Sequence, residues 1–382
     1  MNIYLDNAAT TKPSKRVIEE LCSSMESFYA NPSSLHKLGR ECNKKINDCR
    51  DELAKTINCS KDDIYFTSGG SEVNNFILRG LAKENLHIIT TAFEHSSVKN
   101  TVNYLEKKGA RVTYLSVDSN GLISIDELKS ALTKDTILVS IMYVNNEVGS
   151  IQNLKKIGET IKSLSTRAKF HVDAVQGYGK LPINIKEMKI DALSVSAHKI
   201  NGPKGVGFCY LAKGITPIPN IIGGSQEKGL RAGTENLPGI VGLTVAAKDK
   251  FNNLKENHTK VSQIKEHMIN KLSEVEDIKI NSPINESFSP YILNVSFRGV
   301  RGESLLHFLS EENIFVSTGS ACTSKSKAGV IGSHVLEAMG LTKKEVEGAI
   351  RFSFSPDNTI DEIDKTIEVL KKGLLLLRRL KR

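Results

Sequence analysis

Lys199 ends the stretch Ser196-Ala197-His198-Lys199. Before it runs the alternating segment Ile190-Asp191-Ala192-Leu193-Ser194-Val195, and after it come Gly202, Pro203 and Gly205. Alternation followed by structure-breaking residues predicts a strand that ends in a polar turn. A lysine fixed there, beside a histidine and two serines, is an amine held in a polar pocket. That arrangement suits a Schiff base to an aldehyde cofactor, with hydroxyl and imidazole groups left to hold a phosphate. A surface loop carrying one of the chain's many lysines has the same letters, so this stretch alone does not choose.

Asp173 supplies a second group. In Phe170-His171-Val172-Asp173-Ala174-Val175-Gln176-Gly177 an apolar strand runs into the aspartate. An ionised carboxylate at the end of a buried strand is costly unless it meets a cation. A pyridinium nitrogen is such a cation, and pyridoxal phosphate (PLP) works as an electron sink when that nitrogen stays protonated. Asp is also common at turns and helix caps, which is the plainer account of Asp173.

Together the two stretches resemble the cysteine desulfurases, fold-type I PLP enzymes of the class V aminotransferase group that supply sulfur for iron–sulfur clusters and thiolated tRNA. The resemblance covers nearly the whole chain, with its motifs in family order. Asp63-Ile64-Tyr65-Phe66-Thr67 reads as a strand, followed by Ser68-Gly69-Gly70-Ser71 and a helix through Val73, Phe76, Ile77 and Leu81. Strand, glycine turn and helix make an anion cradle, because the first N–H groups of the helix lack partners. The Walker and dinucleotide patterns are absent, and many such turns bind nothing. The family carries a similar turn here, usually with Thr where this chain has Ser71.

The resemblance implies further roles. Lys199 holds the cofactor and moves the substrate Cα proton, and Asp173 keeps the ring nitrogen protonated. His95, in Phe93-Glu94-His95-Ser96-Ser97, stacks on the pyridine ring and takes part in proton transfers. Asn146, in Asn145-Asn146-Glu147, and Gln176 approach the phenolic oxygen. Gly70, Ser71, Ser196 and His198 hold the phosphate. Thr234, in Arg231-Ala232-Gly233-Thr234, reaches the phosphate of a neighbouring subunit, so a homodimer is expected. A helix N-cap at Thr234 is an alternative compatible with that role.

Cys322 lies in Ser317-Thr318-Gly319-Ser320-Ala321-Cys322-Thr323-Ser324-Lys325-Ser326-Lys327, a stretch too small and polar to bury much surface. A mobile loop is expected, and Lys325 and Lys327 favour the thiolate. The motif Ser-x-Gly-Ser-Ala-Cys-Thr-Ser is similar to that of one desulfurase branch, in which the cysteine takes sulfur from the substrate as a persulfide. The following Lys327-Ala328-Gly329-Val330-Ile331-Gly332 departs from the familiar pattern, which bears on loop length rather than on the nucleophile. Arg351 sits alone in the apolar strand Gly348-Ala349-Ile350-Arg351-Phe352-Ser353-Phe354. A buried arginine wants a planar anion, either an amino-acid carboxylate, as the family position implies, or an internal ion-pair partner.

Positioning these residues requires an α/β fold with a mainly parallel central sheet flanked by helices and the site at the strand C-terminal ends. His87-Ile88-Ile89-Thr90, Arg111 to Leu115, Thr136 to Ser140 and Gly205 to Tyr210 read as further strands. Pro13 is expected to open a helix whose face carries Val17, Leu21, Met25 and Phe28. Ser124 and Glu127 read as a capping box. From about Lys255 the texture turns to charged helix. The expected division is a large PLP-binding domain, residues 12–254, and a small α+β domain, residues 1–11 and 255–382, that carries the cysteine loop.

Composition restricts the rest. The 382 residues suffice for a large core and two domains. The net charge of +9 permits acidic partners without demanding any, so no direct nucleic-acid binding is expected. The six cysteines have no zinc spacing, and no metal is expected; a reducing cytoplasm suits them. Neither a signal peptide nor a membrane span is expected. The activity implied is removal of sulfur from L-cysteine to give L-alanine and a persulfide, passed to a cluster scaffold or a tRNA thiolation enzyme. Within the same fold a selenocysteine lyase or a small-substrate aminotransferase is the alternative. A non-enzymatic RNA-binding or scaffold protein would rest only on the basic charge.

Overall fold

The computed structural model describes residues 2–82, 86–318 and 332–380; Cys322 lies outside them. A seven-stranded sheet runs in the order Ile64–Thr67, Gly207–Leu211, Ala192–Ser196, Lys169–Asp173, Thr136–Met142, His87–Thr91 and Arg111–Leu115. Gly207–Leu211 is antiparallel to both neighbours. The other pairings are parallel. Helices cover both faces, so central strands such as Ala192–Ser196 are buried at every residue and read as continuous small or apolar runs. The parallel strands end together, and Asp173 and Ser196 are the last residues of theirs.

Local capping chemistry sets the helix starts. Pro13 does not open the first helix, which spans Lys15–Ser27, because the Ser14 hydroxyl accepts from Val17 N and so fixes the cap one residue later. Val17 is buried, whereas Met25 is 57% exposed, so the apolar face is shorter than its spacing suggests. Ser124 caps Ile125–Ala131, yet the reciprocal half of the box does not form. The Glu127 carboxylate is drawn instead to the backbone N–H and hydroxyl of Ser116. Thr234 is not a cap either: Asn236 accepts from Gly239 N at the start of Leu237–Asn252.

A second apolar cluster forms around an antiparallel sheet of Ile278–Ile280, Ile292–Phe297 and Ala349–Ser353. Helices Leu254–Leu272, Gly302–Glu311 and Ile360–Arg379 supply Met268, Leu305 and Ile363 to it. The start of the chain joins the same cluster through Ile3, Leu5 and Ala8, and Ile3–Tyr4 pairs with Ile314–Phe315. Among the described residues no helix is long and apolar enough to cross a membrane.

Candidate active site

The strand ends, the N-terminal segment and the second cluster enclose a cavity of about 630 Å³. Lys199, Asp173, His95, Gln176, Asn146, Gly70, Ser71, Ser196, His198 and Arg351 all line it. The sequence-predicted residues thus converge from distant segments, with two exceptions. Thr234 lines a separate, smaller cavity beside Phe66, Glu227 and Arg231, and Cys322 falls outside the described residues.

Lys199 ends a single turn, Ala197–Lys199, directly after the strand that closes with Ser196. Its amine donates to the carbonyls of Ala8, at 2.6 Å, and Ala9, at 2.8 Å. The chain's first residues therefore wrap over the lysine. His198 Nδ1 lies 3.1 Å from Thr10 Oγ1. Burial, aided by Lys199 and Lys204, brings the His198 imidazole down to about 4, so it is neutral at pH 7.

At the start of the helix Gly70–Leu81 the N-cap is Gly69, at φ 146°, with no side chain capping the turn. That φ favours glycine. A Cβ on Gly70 would stand 2.6 Å from Val175 Cγ2. The turn thus lies close against the strand ends and leaves its first N–H groups facing the cavity, as an anion requires. Glu72 in the first turn is held aside: it accepts from Ser68 N at 2.8 Å and meets Arg231 Nε at 3.0 Å.

Asp173 accepts from Val175 N at 3.0 Å and from Asn74 Nδ2 at 2.8 Å. Asn74 sits one helical turn after Gly70, on the same face. The same amide nitrogen reaches Ser97 Oγ at 2.8 Å, and Ser97 Oγ lies 2.8 Å from His95 Nδ1. His95 is itself the N-cap of Ser96–Lys107, its Nδ1 accepting from Ser97 N at 3.2 Å. Burial lowers the His95 pKa; Asp173 opposes the shift and Lys199 adds to it.

Arg351 is buried and uses its fork inside the protein. Nη2 meets Asp6 Oδ1 at 2.8 Å and Nη1 donates to the Asn146 carbonyl at 2.9 Å. Nε is buried without a hydrogen-bond partner. The internal ion pair and a vacant donor thus coexist on one guanidinium. Gln176 donates to the Ala8 carbonyl at 2.8 Å and accepts from Lys180 Nζ at 3.1 Å.

Sequence reasoning missed two carboxylates that line the cavity. Glu94 is fully buried, with one oxygen accepting from Thr91 Oγ1 and Met142 N and the other unpaired. Burial pushes its pKa up to about 8. Glu147 bonds the Ser333 hydroxyl, and burial raises it to about 7. Each stands beside a residue that the sequence did single out, His95 and Asn146, and adjacency was the one available signal. Among the described residues there is no His, Cys, Asp and Glu cluster able to hold a metal ion.

An amine, a carboxylate and an open helix N-terminus on one cavity fit an aldehyde cofactor with a basic ring nitrogen and a phosphate tail. The chain belongs to the aminotransferase class-V family, whose profile matches residues 3–366. The chain is similar to the cysteine desulfurase IscS of Clostridium botulinum strain Hall, with 43% identity over 377 residues covering 97% of this chain and 94% of that one. Among solved structures it is similar to a NifS-like protein, with a TM-score of 0.93, 38% identity and coverage of 99% and 100% of the two chains. It is also similar to SspA in complex with cysteine, with a TM-score of 0.81, 36% identity and coverage of 94% and 100%.

Proposed function

We propose that this protein is a PLP-dependent L-cysteine desulfurase that works as a homodimer. The observation that carries the reading is the convergence of Lys199, Asp173 and the uncapped helix start at Gly70 on one cavity. Gly70, Ser71, Ser196 and His198 would hold the phosphate, joined by Thr234 of a second copy. Asp173 would face the ring nitrogen, Lys199 the aldehyde carbon, and Asn146 and Gln176 the phenolic oxygen. When bound, the cofactor supplies an electron sink for the carbon centre of the substrate.

The residues of the chain do the rest. Arg351 orients the substrate carboxylate through its planar fork. Lys199, close to the substrate carbon, holds and moves the Cα proton. The Cys322 thiolate attacks the substrate sulfur. A sulfur–sulfur bond forms as the carbon–sulfur bond breaks, and the carbon takes up protons to become alanine. L-cysteine and one Cys322 thiol thus give L-alanine and one Cys322 persulfide, with no outside oxidant or reductant. The reaction needs Cys322 as a thiol, which suits a reducing compartment such as the cytoplasm. The persulfide then passes its sulfur to an acceptor protein, a cluster scaffold or a tRNA thiolation enzyme.

The cysteine is assigned to a smaller unit, residues 1–11 and 255–382, working against residues 12–254. The two largest apolar clusters fall on either side of that division, and a smaller one joins Phe93 and Met142 to Val335 and Leu336 across it. The test is direct. Purified protein loaded with PLP should convert L-cysteine, in the presence of a thiol reductant, to equal amounts of alanine and sulfide without a keto acid. Dependence on a keto acid, with no sulfide, would identify an aminotransferase instead. Release of selenide from selenocysteine alone would identify a selenocysteine lyase.

A further inference from the structure

His95 is linked to Asp173 by two residues to which no role has been given. The carboxylate of Asp173 only accepts, so the Asn74 amide must present its nitrogen to it. That nitrogen has two hydrogens. One goes to Asp173 Oδ2 and the other to Ser97 Oγ, both at 2.8 Å. Asn74 is 1% exposed and its Oδ1 is buried without a partner. The structure therefore keeps the amide in this orientation at the cost of an unpaired acceptor.

With one lone pair of Ser97 Oγ taken by Asn74, the hydroxyl hydrogen is available to His95 Nδ1, 2.8 Å away. The backbone N–H of Ser97 points at the same nitrogen from 3.2 Å, and a backbone N–H can only donate. Nδ1 is thus an acceptor from two directions. A proton on Nδ1 would face the Ser97 N–H head-on. We propose that Asn74 and Ser97 are positioning residues that tie His95 to Asp173 and hold it as the neutral tautomer protonated at Nε2. This rests on the active-site reading above and deepens it. His95 then presents an N–H donor to whatever stacks beside it and does not rest as a base at Nε2. A neutral imidazole N–H suits hydrogen bonding to a developing negative charge, and removal of the Cα proton is left to Lys199.

The PLP-loaded enzyme labelled with 15N-histidine tests this, with His95→Gln identifying the signals of His95. At neutral pH, Nδ1 should carry no proton and Nε2 should carry one. A proton on Nδ1, or on both nitrogens, would overturn the proposal. Ser97→Ala and Asn74→Leu should each move the Nδ1 resonance toward that of an unbonded ring nitrogen, and Ser97→Thr should restore it. An unmoved resonance in Ser97→Ala also overturns the relay, and this small substitution decides the matter if Asn74→Leu does not fold. The outcome is separable from the functional reading. Full cysteine turnover by His95→Ala would remove His95 from the active site and leave the tautomer standing.

Discussion

Arg351 Nη2 lies 2.8 Å from Asp6 Oδ1, so a strand near the end of the chain is tied to the segment near its start at the cavity that both line. The pair neutralises a guanidinium that would otherwise be buried alone. Asp6 takes one arm of the fork and the Asn146 carbonyl another, while Nε waits without a partner. On the proposed function, a substrate carboxylate would meet a cation already held in place by these two contacts.

Lysine keeps the charge of Arg351 but loses the planar fork. Arg351→Lys should therefore weaken substrate binding more than turnover. A hydrogen bond to a charged group contributes about 1.5–3 kcal/mol, so KM for L-cysteine should rise by roughly 10- to 100-fold. Steady-state kinetics check this. An unchanged KM would leave Arg351 with the internal ion pair as its whole role.

Glu94 links the site to pH-dependent stability. Its carboxyl is raised from 4.5 to about 8 in the folded chain. Between those values the folded protein holds a proton that the unfolded chain has lost, so stability falls as pH rises through the window. The slope from one such group is about 1.4 kcal/mol per pH unit. Glu94→Gln removes that contribution while keeping an acceptor for Thr91 and Met142 N. Urea unfolding at several pH values should show the variant gaining on the wild type from about pH 5 to 8. Parallel stability curves across the window would mean that Glu94 is ionised when buried.

Much of this site was legible because its parts are local. The glycine turn before Gly70, the strand ending at Asp173 and the turn bearing Lys199 each read from a few adjacent residues. The partners did not, because topology brings them together. Asp6 and Arg351 are far apart in the chain, and so are Asn74 and Asp173. Periodicity says which face a residue takes and nothing about which distant group it meets. The antiparallel direction of Gly207–Leu211 was within reach. Its connection from Ser196 is too short to hold the crossover helix that a parallel pairing usually needs. The sequence leaves Arg351 between a substrate anion and an internal ion pair; the structure shows the ion pair with Asp6 and an Nε without a partner.

Arg50, in the helix Lys37–Ile57, and Glu227, in the loop that leads to Thr234, form a buried bidentate pair at 2.7 and 2.8 Å. Glu227 also accepts from Phe66 N at 2.8 Å. Glu227 and Lys228 take φ values of 48° and 57°, a left-handed conformation disfavoured for residues with a side chain. The ion pair holds that turn in place. Arg50→Met would leave Glu227 buried and uncompensated, a loss of about 3–5 kcal/mol. Glu227→Gln in the same background should recover part of it. Chemical denaturation measures both, and a loss below about 1 kcal/mol for Arg50→Met would show the turn to be self-supporting.

Cys322→Ser separates sulfur transfer from every other part of the reaction. The variant should bind PLP with the visible absorbance of the wild type, because Lys199, Asp173 and the turn at Gly70 are untouched. L-cysteine should still perturb that absorbance, since Lys199, Asp173 and Arg351 remain. Alanine should not form at an appreciable rate, because a serine oxygen is a poor acceptor of sulfur. Mass spectrometry of the wild type after reaction with L-cysteine should find one added sulfur on the peptide bearing Cys322. The other cysteines are poor rivals. Cys42, Cys49 and Cys209 are buried, and burial pushes the thiols of Cys49, Cys59 and Cys209 up, away from the thiolate that attacks. Cys22 is exposed and does not line the cavity. Added sulfur on any of these five, together with full activity of Cys322→Ser, would move the nucleophile elsewhere and end the desulfurase assignment of that loop.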